Sequence, residues 1–566
     1  MTDNSLANGE TGNAGGNAGG NVSSNASSNA SSDASSTASS SVGTNAGSHA
    51  GSSVGTNAGS HAGSSAGTNA GSHAGSSAGT NAGSHAGSSA GTNAGNNARS
   101  SATHSAAPLS ATLAALRAAL GDDAVRVGEQ IGERAMTDWT RHDPTRPAAL
   151  LLPRSTEEVS RALAICHGAH QPVVPQGGMT GLAGGAIARA TDIALSLERL
   201  SGIEEIDPAS ATLTVRAGTT LQTAQEAAAE AGFELALDLG ARGSCQIGGN
   251  LATNAGGNRV IQSGTARDQV LGLEVVLANG DVLTSLGKMV KNNTGYDLKH
   301  WFIGSEGTLG VITRAVLRLH PQRAARHTAL VALDGYEAAV SLLRRLSTRF
   351  GNDIGAFEIM WPDFYDFGVK LTGTRSPFAA SHPLYALIEH ASFDAGDDGE
   401  RFSAALTDAL DSEAIRDAVI AQSVADVRAL WAIRECTAEF PVRLDAINFD
   451  VSLPISEIGA FVDRCRAALD QRWPGNASYF FGHIGDSNLH VTVDGHSIPG
   501  VDHHAVYAFV YEMLGPLHGS VSAEHGIGLL KREFLPISRS PAELAAMAAI
   551  KHALDPHGIL NPGKLF

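Results

Sequence analysis

Three observations predict an α+β fold for most of this 566-residue chain. The strand-like AALLLPRS is followed by the helical TEEVSRALAICHGAH, then by a second strand-like stretch, QPVVPQGG, that runs into glycines. Glycine-rich loops recur as far as about Gln322. Beyond that point apolar strands such as HTALVALD and PLYALIEH alternate with helices such as EAAVSLLRRLSTRF.

Residues 1–107 stand apart. They are almost wholly Ala, Gly, Ser, Asn and Thr, and residues 42–101 repeat a twelve-residue unit, VGTNAGSHAGSS, that brings back His49, His61, His73 and His85. A solenoid needs a large apolar residue in each turn. With only Ala and Val on offer, burial cannot offset the entropy of ordering, and a disordered tail is expected. The tail carries only Asp3, Glu10, Asp33 and Arg99, so nearly all of the formal charge of −17 belongs to the remainder. Such acidity argues against nucleic acid or an anionic membrane as the main partner. MTDNSLANGE lacks the basic and apolar regions of a signal peptide, and no apolar run reaches the roughly 18 residues of a membrane span. A soluble, cytoplasmic protein is expected. Cys166, Cys245, Cys436 and Cys465 are scattered without a CxxC pair and read as buried reduced thiols.

The elements follow in order. LSATLAALRAALG predicts an amphipathic helix ended by Gly121, within an N-terminal helical segment over 108–140. A glycine-loop domain is expected over 141–322, its first helix capped by Ser155 or Thr156 with acids in the opening turn. A second α+β domain is expected over 323–500, and a mostly helical segment over 501–566 that ends in DPHGILNPGKLF.

Two glycine loops point to an anion. PQGGMTGLAGG, Pro175 to Gly185, follows a strand and can present consecutive backbone N–H groups. It is not a GxGxxG opening a helix, so a Rossmann dinucleotide fold is not indicated. SCQIGGNLATNAGGN, Ser244 to Asn258, mixes small residues with the amides of Gln246, Asn250, Asn254 and Asn258, which suit a ribose or a heterocycle. KNNTGYDLKHWFIGSEGTLGVIT, Lys291 to Thr313, adds a third glycine-rich turn and a strand.

With GTARDQVLGLEVVLANG between the last two, these segments resemble, in order, the FAD domain of the vanillyl-alcohol-oxidase/PCMH flavoprotein superfamily. The resemblance covers about Arg146 to Leu319. It implies that Pro175, Gly177, Gly178, Met179, Thr180, Gly181 and Gly184 wrap the FAD pyrophosphate. It further implies that Ser244, Gly248, Asn250, Thr253, Asn254 and Gly256 line the second loop and that Ile312 touches the adenine side. Members that attach the flavin covalently often carry histidine where this chain has Met179, so non-covalent FAD is expected.

Downstream, LWAIRE, FDVSLP, GHIGDSNLH, GSVSAEHGIGLLK and LDPHGILNPGKLF resemble the D-2-hydroxyacid dehydrogenase branch, which oxidises D-lactate, glycolate or D-2-hydroxyglutarate. The residues read the same way. SYFFGH and LHVTV are strands joined by the tight turn IGDSN, which sets His483 near His490. Asp486 and Asn488 are expected to stabilise that turn. With Glu524 the two histidines form a His₂Glu set suited to zinc or another divalent metal with one position open. A metal there would bind the hydroxyl and carboxylate of a hydroxy acid, and His525 is the natural base for the hydroxyl proton. Arg434 is the expected clamp for the substrate carboxylate, a salt bridge to a neighbour such as Glu435 being its alternative. Asn561 resembles a position near the flavin ring, and Lys531 a basic position near the site.

Three departures bear on the substrate. Asn448 stands where the hydroxyglutarate and lactate enzymes commonly have lysine, Thr492 where the hydroxyglutarate enzymes often have asparagine, and Ala438 where threonine is expected. The implied partners are a small hydroxy acid, an acceptor such as an electron-transfer flavoprotein, cytochrome or quinone, and a second copy in a homodimer. Two other readings are an alkyl-dihydroxyacetone-phosphate-synthase-like flavoenzyme, whose run of histidines Ala523 and Glu524 interrupt, and a non-catalytic flavin-domain scaffold.

Overall fold

The computed structural model describes residues 108–394, 396 and 398–566, which fall within one compact unit spanning Arg99–Phe566; the repeat tail lies outside the described residues. Four strands open the fold: β1 (Val125–Arg126), β2 (Ala149–Leu151), β3 (Val173–Gln176) and β4 (Ile193–Ser196), in the order β1-β2-β4-β3. β2, β4 and β3 run parallel, as a strand–helix–strand connection through Thr156–Gly168 requires. Ser155 caps that helix, its side chain accepting from the Glu158 N–H. The N-terminal segment is α-helical over Leu109–Leu120, followed by short 3-10 turns at Asp122–Ala124, Gly128–Gln130 and Glu133–Ala135. Gly121, at φ 88°, ends the helix, and Val125 then pairs antiparallel with Leu151 as an edge strand.

A second, antiparallel sheet contains β5 (Ile203–Asp207), β6 (Thr212–Arg216), β8 (Val270–Val276), β9 (Val282–Ser285) and β10 (Val311–Arg318), in the order β5-β6-β10-β8-β9. β7 (Phe233–Glu234) pairs with β11 (His320–Pro321) beside it. One core unites both larger sheets, from Leu151 and Val173 to Val275 and Ile312. Ile559 and Leu560 join that core, and Leu560 bridges to Val173 at the open edge of β3.

The second half is a seven-stranded antiparallel sheet of β12 (Ala325–Leu333), β13 (Ile354–Met360), β14 (Leu384–Ser392), β15 (Asp417–Ile420), β16 (Ala446–Ser452), β17 (Ala477–His483) and β18 (Asn488–Asp494), in the order β15-β12-β14-β13-β17-β18-β16. Strand side chains alternate between faces. Phe357, Ile359, Phe449, Phe480, Leu489 and Val491 enter the core formed with the helices Tyr336–Phe350, Asp398–Asp411 and Ile455–Arg472. Their neighbours Glu358, Asp450, His483 and His490 therefore take the opposite face, where Met360 and Phe481 pack with the helices Pro362–Thr372 and Val424–Glu435.

Beyond Val501 helices are interrupted by irregular backbone. The helices His503–Glu512 and Pro541–Leu554 flank a stretch, Val521–Leu530, with neither helix nor strand. Gly526 and Gly528 there adopt φ 79° and 51°, a backbone that breaks a helix. All four cysteines are free and buried. No helix among the described residues is long and apolar enough to cross a membrane.

Candidate active site

Register sets the histidines. His490 on β18 faces Phe481 on β17 and Asp450 on β16, while His483 ends β17 opposite Glu358 on β13. The turn between them is a short 3-10 segment, Ile484–Asp486, closed by a bond from the Asn488 N–H to Asp486 Oδ1. Asp486 thus holds the turn as expected. The Asn488 amide does not, being buried with no partner at either end.

Two clusters share His490. His483, His490 and Glu524 present ligand atoms within 4.8 Å of one another, and so do Asp450, His490 and His525. The His483 and His490 rings lie 5.3 Å apart, those of His490 and His525 5.9 Å, and His490 Nε2 is 3.9 Å from Glu524 Oε2. The structure thus brings together the three residues expected to bind metal and sets His525 beside them.

Two carboxylates that sequence reasoning did not single out organise this group. Glu358, fully buried, takes His483 Nδ1 at 2.5 Å on one oxygen and Arg434 Nε at 2.8 Å on the other. That leaves Nε2 as the ring nitrogen of His483 available to a cation; Arg434 Nη2 now lies 3.3 Å from it. Asp450 Oδ2 accepts from the backbone N–H groups of Glu524 and His525 and from Ser522 Oγ, with Lys531 Nζ at 3.5 Å. A single carboxylate inside an apolar strand, as in IGAFEIM, was the available signal for Glu358.

The electrostatics follow. Burial opposes charge on His483, but the Glu358 carboxylate prevails and raises its pKa to about 9. Burial, then the charge on His483, pushes His490 well below the ordinary imidazole value, and burial lowers His525 also. Burial would raise Asp450, yet His525, Lys531 and His490 together hold it well below the usual carboxylate range. A metal ligand and a proton acceptor must be neutral imidazoles, the form that burial favours at His490 and His525, whereas His483 must give up the proton that Glu358 favours before its Nε2 can ligate.

Arg434 sits at the site, stacked over Phe481 at 4.8 Å, but its ion pair is with Glu358 and not with Glu435. Only its terminal nitrogens can reach a substrate. Asn448 and Thr492 face each other across β16 and β18 and are bonded, Thr492 Oγ1 to Asn448 Oδ1 at 2.8 Å.

The glycine loops meet where a dinucleotide fits. A Cβ on Gly177 would stand 3.5 Å from Gly249 Cα, and one on Gly178 only 2.2 Å from Ser244 O. Met179, Asn254, Glu306 and Asn561 hold φ of 60°, 50°, 52° and 44°, a backbone that side-chain-bearing residues seldom adopt. Gln246 Oε1, near Gly177, and Asn561 Oδ1 are buried without partners, as expected of groups that await a polar ligand. Pro175 packs under Gly307, Gly181 lies against Asp138, Gly184 against Leu529, and Thr180 stands within the same turn. These residues fit FAD.

Other residues of the loops also bond within the protein. Gly248 gives its N–H to Ala217 O and packs on Ala217, so Gly249 is the glycine that faces the first loop. Asn250 Nδ2 points to Cys245 Sγ, Thr253 Oγ1 bonds back to Gly249 O, and Asn254 Oδ1 accepts from the Arg267 N–H. Ile312 is buried in the core on β10. Gly256 lies beside Glu524, and Asn561 Nδ2 bridges Gly185 O and Glu306 O.

The close approach at Gly178 carries a prediction. In Gly178→Ala the first two loops must part, at a cost of about 1–3 kcal/mol, and the purified protein is expected to lose flavin. Flavin absorbance per mole of protein measures it, and full occupancy would contradict the loop geometry.

Known proteins match this arrangement in both halves. Residues 147–285 match the family model described as FAD binding domain, and residues 322–565 the one described as FAD linked oxidases, C-terminal domain. The chain is 40% identical over 438 residues to D-2-hydroxyglutarate dehydrogenase of Xanthomonas citri pv. viticola, covering 76% of this chain and 91% of that protein. It is 39% identical over 429 residues to the mitochondrial D-2-hydroxyglutarate dehydrogenase of Bos taurus, covering 76% and 78%. Among solved structures, p-cresol methylhydroxylase with substrate bound superposes with a TM-score of 0.64 at 17% identity, over 81% of this chain and 96% of that one. An alkyldihydroxyacetonephosphate synthase superposes with a TM-score of 0.62 at 18% identity, over 81% and 85%. Likeness at such identities concerns the fold alone. The relatives decide the family: this chain belongs to the FAD-dependent D-2-hydroxyacid dehydrogenases.

Proposed function

We propose that the protein oxidises D-2-hydroxyglutarate to the 2-oxo acid, with D-lactate as the competing substrate and a divalent cation, zinc above all, as an active-site component. The single observation that carries the reading is the convergence of His483, His490 and Glu524, whose ligand atoms lie within 4.8 Å of one another, beside His525. Bound FAD supplies the acceptor for the hydride lost from C2. The two imidazoles and the carboxylate would hold the cation, leaving an open position that grips and acidifies the substrate hydroxyl. His525 Nδ1 lies 3.7 Å from Asp450 Oδ2, a carboxylate that steadies the ring as it takes up the hydroxyl proton. Arg434 directs its terminal nitrogens at the substrate carboxylate. Reducing equivalents leave for an electron-transfer flavoprotein, cytochrome or quinone.

Chelation tests the reading. The dialysed, flavin-loaded protein is expected to lose turnover of D-hydroxy acids with an artificial acceptor, and to regain it with added zinc. Undiminished turnover after the cation is gone, verified by elemental analysis, would remove the cluster from the mechanism. A parallel screen of D-2-hydroxyglutarate and D-lactate decides the substrate.

A further inference from the structure

Glu524 and His525 sit in a stretch, Val521–Leu530, that has no regular structure to hold it. Asp450 holds its first half, through the N–H groups of Glu524 and His525, and all three glycine loops hold it as well. From the first loop, Ala183 O accepts from the N–H groups of Leu529 at 2.9 Å and Leu530 at 3.2 Å. From the second, the Gly257 N–H donates to Glu524 Oε1 at 2.8 Å, and a Cβ on Gly256 would stand 2.7 Å from that same oxygen. From the third, the buried Glu306 carboxylate accepts from the N–H groups of Ile527 at 2.7 Å and Gly528 at 2.8 Å. Asn561 ties Glu306 O to Gly185 O, linking the third loop to the first.

Glu524 is therefore divided between two tasks. Its Oε1 is fastened to a flavin loop, while its Oε2 faces His490 Nε2. We infer that Gly257 and Glu306 are positioning groups that place Glu524 for the cation, so that flavin and cation bind with positive coupling. The inference rests on the flavin and cation reading above. A flavin that stiffens the loops removes part of the ordering entropy that cation binding must otherwise overcome. Linkage makes the effect mutual: the factor by which flavin tightens the cation equals the factor by which the cation tightens flavin.

The full chain, stripped of flavin or loaded with it, is titrated with Zn²⁺ against a chromophoric chelator. Zn²⁺ is expected to bind the loaded form about tenfold more tightly, within the roughly 5–150-fold range of such couplings. FAD titrations with and without Zn²⁺ should return the same factor. In Glu306→Gln, which turns one acceptor oxygen into a donor facing an N–H, the factor is expected to fall toward one with FAD still bound. Asn561→Ala should reduce it in the same direction, and circular dichroism checks that each variant is folded. Equal Zn²⁺ affinity of the stripped and loaded wild type overturns the coupling. A factor unchanged in both variants overturns the role of Glu306. Failure of both forms to bind Zn²⁺ overturns the cation reading beneath the inference, a result distinct from the other two.

Discussion

Replacing His490 with alanine is expected to abolish hydroxy-acid oxidation while FAD remains bound. His490 is the one residue shared by both ligand clusters, so its loss opens each of them at once. A group that only supports a metal ligand is worth roughly 10–100-fold in metal affinity, and loss of a ligand should exceed that. The flavin loops are held by other contacts: Gly177 against Gly249, Pro175 against Gly307, and the Asn561 bridge. Absorbance of the bound flavin, elemental analysis for zinc and steady-state turnover separate the two effects. A variant with full zinc content and wild-type turnover would exclude the cluster from the chemistry.

Glu358→Ala is expected to be the most destabilising single change at the site. The carboxylate is fully buried and holds both His483 Nδ1 and Arg434 Nε. Its removal strands a buried guanidinium beside an imidazole, a defect that costs about 3–5 kcal/mol when one partner of a buried pair is lost. Glu358→Gln keeps an acceptor oxygen and should cost less. Denaturant unfolding of the chelated protein measures both, and zinc titration should show weakened binding as His483 loses its orientation. An unchanged unfolding midpoint in Glu358→Ala would show that the pair contributes nothing to the fold.

What could be read from the chain follows contiguity. The glycine loops are continuous runs, and each was legible from its own residues. His483 and His490 were legible because one tight turn joins their strands. Glu358 was not: its partner is 125 positions away, and only the register of β13 against β17 brings them together. Glu306 and Ile527 are 221 positions apart, so their bond is invisible to any local pattern. Gly248 was assigned to the cofactor by resemblance to the motif of the second loop. Period and composition could not tell that Gly248 turns toward Ala217 while Gly249 turns toward the loop. Arg434 was placed at the site, but its carboxylate partner lies on a different element and not on its own helix.

The bridge of Leu560 to Val173, with the Val173 N–H bonded to Ile559 O and the Asn561 N–H to Val173 O, has a consequence for how the molecule is made. The ribosome delivers Val173 early and its partners only after both halves have been translated. Throughout that interval β3 is an unpaired edge, open to other chains. A nascent polypeptide arrested between the two would expose this edge, and its propensity to aggregate should drop once residues 559–561 emerge.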